Sequence, residues 1–238
     1  MVGIRRAVAL LLLGFYVTQF AMTAWIGPDE LFACYLGLAL CYGLAFIGLA
    51  AEWFWARWFA IGIGHFGSLL LLVLFQVGLE PIILFFGGTH LAVALFLSGE
   101  GMAAKYEYSE AAAERWNLQE ESIILMRRAV KSAGSTIPIL ILYALGPRPE
   151  LMQYAALAFG VVGLVGLLRG RTWGVLALGT AGLIPLVLWF LGQHSAGYLL
   201  TSPVGYPVVS GQIVQLLAAA MLIIPAIYAG RMLAFLRR

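Results

Sequence analysis

The sequence predicts an all-α fold, a polytopic integral membrane bundle of about eight transmembrane helices. Hydrophobic residues make up 63% of the 238 residues and charged residues only 11%, which leaves too little polar surface to cover a water-soluble globule of this size. The apolar residues are grouped into stretches near the roughly 20 residues that a helix needs to cross a bilayer. Basic residues, finally, fall almost entirely into alternate loops.

Eight apolar segments, each bounded by charge, glycine or proline, are the predicted helices. The fourth is short and closely follows the third, so we expect a tight hairpin unless the fourth segment is re-entrant. Pro138 removes a backbone donor from the fifth segment and is expected to kink it. The segments are 7–26, 32–51, 58–78, 82–98, 128–146, 151–168, 173–192 and 210–235.

The basic residues test this topology independently. If the amino terminus lies in the cytoplasm, all of the 14 lysines and arginines except Arg148 fall into the termini or the cytoplasmic loops. Because loops rich in these residues resist translocation, both termini are predicted to be cytoplasmic, in a bacterial-type inner membrane. The basic residues then anchor the chain to anionic lipids, and no nucleic-acid partner is predicted.

Residues 99–131 are the predicted cytoplasmic connector between two membrane halves, 1–98 and 132–238, of four helices each. The connector is rich in helix formers, and Asn117 with Glu120 resembles a capping box, so two helical pieces are expected, the second running into the fifth helix. Its mixed charges are those of a solvated helix face, or of a docking surface for other protein subunits.

Two similar helix starts suggest an internal repeat. The first is RWFAIGIG at 57–64, which begins with a cytoplasmic arginine, and the second is TWGVLALG at 172–179, which follows one. Both reach a glycine, and the same offset of 115 pairs Gly48 with Gly163. A real repeat would make the fold a 4+4 internal duplication with parallel halves, because each half has an even number of helices. Chance similarity between apolar helices is the alternative.

The predicted spans contain few groups for chemistry. No Asp, Glu, Lys or Arg interrupts them, and Glu52 and Arg57 are expected near each other at the inner end of helix two. Ion-coupled carriers and intramembrane hydrolases usually need such groups, so both classes are disfavoured and no catalytic residue is predicted. Cys34 and Cys41 would lie about 10 Å apart on one helix face, which suits core packing rather than a disulfide or a metal site.

Uncharged polar residues instead gather on three predicted helix faces, which should point into the bundle and find hydrogen bonds there. These faces contain Tyr16, Gln19 and Thr23 in helix one, Trp58, His65, Ser68 and Gln76 in helix three, and Gln212 and Gln215 in helix eight.

His65 and His90 lie at similar depths on adjacent predicted helices, roughly 12 and 15 Å from the cytoplasmic boundary. Glycines flank both, and two neutral imidazoles at one level are what a six-coordinate haem b requires, so one hypothesis is a haem or quinone site. The alternative is a structural pair that packs and forms hydrogen bonds. His194, at the outer end of helix seven, has no second ligand nearby in the sequence, and no metal site is predicted.

These features predict a non-catalytic, membrane-embedded subunit or scaffold of a larger complex, because a chain with small loops must usually borrow a soluble domain. The first alternative is an electron-transfer subunit in which His65 and His90 bind haem b or border a quinone pocket. The second is a permease for a small neutral or lipidic substrate that uses the uncharged polar faces. A lipid-modifying enzyme is least favoured, since no paired acid and base is visible.

Overall fold

The computed structural model describes residues 2–107, 120–145, 151–171, 173–192 and 211–227, without the side chains of 76–77, 120–122 and 211–214. The regular structure in these ranges is entirely helical, as predicted. Residues Met1–Gln119 and Glu120–Arg238 form two compact units, which we call unit 1 and unit 2 and describe separately.

Unit 1 is a ring of four long helical segments. α1 and α3 each pack against both α2 and α5, so α2 and α5 are diagonally opposite. The helices are α1 (Val2–Ile26), α2 (Phe32–Ala50), α3 (Ala56–Ser68), α4 (Leu70–Val77), α5 (Pro81–Leu97) and α6 (Glu100–Tyr106), with a 3-10 turn at Asp29–Leu31.

Glycine and proline fix the links of unit 1. Gly78 ends α4 with a φ of 81°, which favours glycine, and Pro81 begins α5 in the first turn, where its missing N–H is not needed. This link is the tight hairpin expected from the sequence. Gly99, with a φ of 93°, separates α5 from α6, and the two axes differ in direction by 72°.

Unit 2 repeats the ring with α7 (Glu120–Leu145), α8 (Leu151–Leu168), α9 (Trp173–Phe190) and α10 (Gly211–Ile227). Each helix packs against the next, and α10 packs against α7. Glycines bring α8 and α9 together: a Cβ added to Gly163 would lie 2.8 Å from the backbone nitrogen of Leu178, and one added to Gly174 would lie 2.7 Å from that of Leu167.

Among the described residues, five helical segments are long and apolar enough to cross a membrane, or six if α5 and α6 form one bent span. The five are α1, α2 with its preceding turn, α3 continued by α4, α8 and α9. α7 begins with a charged stretch and contains Pro138, and the described part of α10 has only 17 residues. The apolar helices therefore agree with the predicted class, and the number of eight spans stays a prediction.

Some predicted bounds differ from the helices observed. α1 begins at Val2 and α7 at Glu120, so α7 includes part of the predicted connector. The third segment divides at Leu69 into α3 and α4, where Ser68 donates to the carbonyl oxygen of His65, a back-bond that bends helices. The domain boundaries at 98 and 131 stay predictions. Asn117, Arg148 and His194 lie outside the described residues.

The α2–α3 and α8–α9 hairpins share their backbone hydrogen bonds at an offset of 118 residues. Trp53 N donates to Gly48 O at 3.0 Å, and Arg171 N donates to Gly166 O at 2.8 Å. Three further pairs of bonds correspond, each written from the N–H donor to the carbonyl acceptor. They are Ala51 to Ile47 with Arg169 to Val165, Glu52 to Leu49 with Gly170 to Leu167, and Ala56 to Trp53 with Gly174 to Arg171. Positive φ also recurs, with 57° at Glu52 and 71° at Gly170.

Side chains at the two hairpins follow the same register. The Trp55 ring lies against Gly48, and the Trp173 ring lies against Gly166 at the matching place. The sequence matches suggested an offset of 115, which differs by one helical turn. The turn between the helices, rather than their apolar composition, fixes the register at 118.

Candidate functional site

His90 of α5 is a buried histidine, and only 4% of its surface is exposed. It contacts α1, α2 and α3, the other three helices of the ring in unit 1. Its Nδ1 lies 2.7 Å from the carbonyl oxygen of Phe86. Because a carbonyl oxygen only accepts, the neutral ring carries its proton on Nδ1. Tyr42 of α2 then donates its hydroxyl proton to Nε2 over 2.6 Å. Both nitrogens are therefore hydrogen-bonded, and the second bond joins diagonally opposite helices.

Tyr16 of α1 covers one side of this imidazole. Its ring centroid is 4.0 Å from that of His90, with 41° between the planes. Its hydroxyl lies 2.5 Å from Thr89 Oγ1 and 3.1 Å from the carbonyl oxygen of Phe86, to which it donates. Tyr16 is buried, as expected for an inward-facing residue.

Gly67 of α3 makes room for the imidazole from another side. A Cβ added to Gly67 would overlap the ring of His90. One turn earlier, a Cβ on Gly64 would lie 2.8 Å from the carbonyl oxygen of His90 and 2.9 Å from the nitrogen of Ala94. We call Tyr16, Tyr42, Gly67, Thr89 and His90 the His90 cluster, since it joins α1, α2, α3 and α5.

His65 lies on a different face of α3 from the two glycines that approach His90. It is about 100° from Gly64 and about 160° from Gly67 around α3, and those two glycines face α5, so the His65 side chain leaves the helix in another direction. The His90 ring already has both nitrogens bonded. This geometry does not favour joint ligation of a haem b by the two histidines, and the haem or quinone hypothesis stays a prediction.

The other polar residues singled out from the sequence have varied environments. Gln215 is buried and donates from Nε2 to the carbonyl oxygen of Pro185, linking α10 to α9 over 2.7 Å. Thr23 donates to the carbonyl oxygen of Gln19 in its own helix. Trp58 is buried, His65 and Ser68 are half-buried, and the side chains of Gln76 and Gln212 lie outside the described structure.

Arginines gather at one end of unit 1, where α1 begins and α2 and α5 end. Arg6 donates to the carbonyl oxygens of Leu49 and Ala50 at 3.2 and 2.8 Å, at the end of α2. Arg5 donates to those of Leu95 and Ser98, at the end of α5. Cations there complement the negative end of the helix dipole and donate to carbonyl oxygens at the ends of the two helices.

Ion pairs complete this end. Glu52 pairs with Arg6 and with Lys105, the latter at 2.9 Å, and Arg57 forms a buried pair with Glu107. Glu52 and Arg57 therefore each pair with a residue of α6 or with the residue that follows it, which the bend after α5 brings to this end, and their expected proximity to each other stays a prediction. We call Arg5, Arg6, Glu52, Arg57, Lys105 and Glu107 the charged end of unit 1.

Two groups near the charged end have shifted pKa values. The hydrogen bond donated by Lys105, aided by Arg6, holds the pKa of Glu52 below its usual range. Burial raises the pKa of Tyr106, whose hydroxyl donates to the carbonyl oxygen of Leu49 at 3.0 Å. Glu52 is therefore anionic and Tyr106 neutral near pH 7, the states in which they make these contacts.

Sequence reasoning missed Tyr42 and Glu107. A tyrosine within an apolar helix has no distinguishing pattern, and its role here depends on a contact across the ring of helices. Glu107 lies among many charged residues of the predicted connector, and nothing in the sequence distinguishes it from them. Comparison of the chain with family models, curated proteins and solved structures finds no match.

Proposed function

We propose that this chain is a multi-pass protein of a bacterial-type inner membrane, with eight spans and both termini in the cytoplasm. The charged end supports this topology, because Arg6 binds Glu52 and Arg5 binds the carbonyl of Ser98. These bonds bring together the start of α1, the α2–α3 link and the end of α5. The positive-inside rule assigns the same three places to the cytoplasm.

The outer faces of the helices support a lipid environment. Large apolar side chains are exposed on the described helices, including Leu11 at 74%, Leu40 at 67% and Phe75 at 89%. Contiguous apolar surface is rare on soluble monomers, whereas lipid chains cover it in a bilayer. Membrane lipids are therefore the first partners in this proposal.

The two units derive, in this proposal, from a 4+4 internal duplication. The common hairpin bonds and the recurrent positive φ support it, as does the ring of four segments in each unit. Four segments return the chain to the side on which it began, so the halves would have parallel orientation in the membrane.

Within this frame, the protein acts as a non-catalytic subunit or scaffold of a larger complex. The observation that carries this proposal is that polar side chains of unit 1 bond to the backbone or to one another and so hold helices in place. Arg5, Arg6 and Arg57 bind helix-end carbonyls, while Tyr42 and His90 bind each other. Residues 99–131, which include the exposed face of α6, are the proposed docking surface for a soluble subunit.

Site-specific cross-linking in cells tests this role. A photoreactive phenylalanine analogue replaces Ala104, which is exposed on α6, or Leu79, which is 86% exposed in the α4–α5 link. We expect one discrete protein adduct from position 104 that survives extraction in mild detergent, and lipid adducts from position 79. Lack of a protein adduct at 104, with substrate uptake by the chain alone in proteoliposomes, would overturn the subunit role.

A permease for a small neutral or lipidic substrate is the second candidate. The Oε1 atoms of Gln19 in unit 1 and Gln215 in unit 2 are buried and make no hydrogen bond within the described residues. Buried acceptors with spare capacity are suited to a substrate hydroxyl or amide. Uptake that is abolished by Gln19→Leu and retained in Thr18→Val, on the exposed side of α1, would favour this candidate.

A further inference from the structure

We propose that His90 is a proton-binding site, and that protonation of its Nε2 reverses the direction of the hydrogen bond joining α2 to α5. The site is a property of unit 1 itself and does not depend on the subunit role proposed above. The inference comes from the geometry of the ring and from a comparison of the two units.

Unit 2 builds the same helix contact without a histidine. A Cβ added to Gly64 would lie 2.8 Å from the carbonyl oxygen of His90, and a Cβ added to Gly182 would lie 2.8 Å from that of Ala219. Gly64 and Gly182 are also related by the hairpin offset of 118. Ala219 therefore occupies the place of His90.

The tyrosine is absent from the corresponding place as well. The offset that relates the two hairpins puts Gly160 of α8 at the position of Tyr42. A Cβ on Gly160 would lie 2.9 Å from Leu140 of α7, so an apolar side chain reaches into this space. The ring of helices thus closes in unit 2 without a tyrosine–histidine pair, which indicates that the architecture does not require one.

The surroundings of the ring identify the ligand. Gly67 approaches so closely that a Cβ would overlap the imidazole, and the Tyr16 ring lies 4.0 Å from it on another side. A ligand with its own heavy atoms would have to displace one of these neighbours. A proton needs no such space. Nε2 is the basic nitrogen of the neutral His90 ring and can bind one.

Protonation changes the hydrogen bonds in a defined way. A proton from water adds to the Nε2 lone pair, and the imidazolium that forms has two donors and no acceptor. Tyr42 can then no longer donate to Nε2; its oxygen must accept from Nε2–H, and its own proton must turn to another acceptor. Nδ1 keeps its bond to the Phe86 carbonyl.

The groups that face the ring are neutral. They are Tyr16 from α1 and Tyr42 from α2, with Cys41 next to Tyr42 in the chain, while α3 presents Gly64 and Gly67. Attraction between the His90 imidazolium and the Tyr16 ring would offset part of the hydration that the charged ring loses on burial. These described neighbours include no carboxylate counter-ion. Because burial costs the imidazolium more free energy than the neutral ring, we expect the bound proton to lower the stability of folded unit 1.

Nitrogen NMR of the full-length protein in detergent, with ¹⁵N-labelled histidine, tests the proposal between pH 8 and pH 4. His90→Gln assigns the His90 signals, and Tyr42→Phe assigns them independently if the first variant does not fold. We expect a neutral ring with its proton on Nδ1 at pH 8 and imidazolium at lower pH. The unfolding temperature should fall by several degrees over the same interval.

Two variants separate proton binding from general acid sensitivity. Tyr42→Phe keeps the aromatic ring but has no oxygen to accept from Nε2–H, so its His90 should become imidazolium only at a lower pH than in the wild type. His65→Gln should keep the wild-type pH dependence. The proposal is wrong if His90 stays neutral at every pH at which the protein is folded, or if Tyr42→Phe leaves the pH of His90 protonation unchanged.

Discussion

Arg57 and Glu107 form a buried ion pair whose side chains are 9% and 0% exposed. Arg57 also donates from Nε to the carbonyl oxygen of Leu97 at 2.7 Å. One guanidinium group therefore joins the start of α3, the end of α5 and the residue that follows α6. Removal of one partner leaves the other charge buried and unpaired, a loss of about 3–5 kcal/mol in other proteins.

Arg57→Ala should consequently lower the free energy of unfolding by about 3–5 kcal/mol. Lys105→Ala is the matched control, because it removes a pair with the exposed Glu52 and should lower stability by at most about 1 kcal/mol. Unfolding in mixed detergent micelles measures both. Equal losses for the two variants would show that burial of the Arg57–Glu107 pair is unimportant.

Gly67→Ala should destabilise unit 1 by about 1–3 kcal/mol, because the new methyl group would overlap the His90 ring and force α3 away from α5. Gly88→Ala, on α5, adds a methyl group with no atom within 4 Å and should leave stability nearly unchanged. Thermal unfolding of the two variants measures the difference. A tolerated Gly67→Ala would contradict the close approach at the His90 cluster.

The hairpin correspondence predicts opposite effects at Glu52 and Gly170. Both residues have positive φ, which suits glycine, so Gly170→Ala should cost about 1 kcal/mol. Glu52→Gly should be more stable than Glu52→Ala by a similar amount, since both lose the same ion pairs and only one keeps a Cβ. Unfolding experiments on the three variants test this ranking, with Gly43→Ala within α2 as the control.

Glu52 should also give a pH-dependent contribution to stability. Its pKa in the folded protein is held low by Lys105 and Arg6, so the contribution is full above the unfolded value of about 4.3 and is lost as pH falls through the lower folded value. The difference in unfolding temperature between wild type and Glu52→Gln should be largest near neutral pH and vanish in acid. Glu80→Gln, in the exposed α4–α5 link, is the control; a constant Glu52→Gln difference would contradict the ion pairs.

The sequence was informative where a residue is unusual in its local setting. His90 could be singled out because a histidine is rare in an apolar run, and Pro81 with Gly78 marked a tight link. Tyr42 could not be identified as its partner, because their contact depends on which helices are diagonal in the ring. The charged end shows the same limit. Glu52 is near Arg57 in sequence, but its ion pair with Lys105 depends on the bend at Gly99, which brings α6 to this end.

The repeat shows why composition is a poor guide to register. Helices with similar apolar composition can be aligned at offsets one turn apart with similar success, and the sequence matches at 115 are of this kind. The turn of the hairpin has a particular set of hydrogen bonds, with Gly48 O accepting from Trp53 N and Gly166 O accepting from Arg171 N. Such bonds depend on the fold and were not visible in the sequence.

Cysteine labelling in intact cells tests the central claim, the eight-span topology, most directly. The buried Cys34 and Cys41 are replaced by alanine, and single cysteines are placed at exposed positions by Leu79→Cys, Ala104→Cys, Arg169→Cys and Gly192→Cys. We expect a membrane-impermeant maleimide to label positions 79 and 192 in intact cells, and positions 104 and 169 only after the cells are opened. Labelling of 104 or 169 in intact cells would contradict the topology and, with it, the proposed cytoplasmic docking surface.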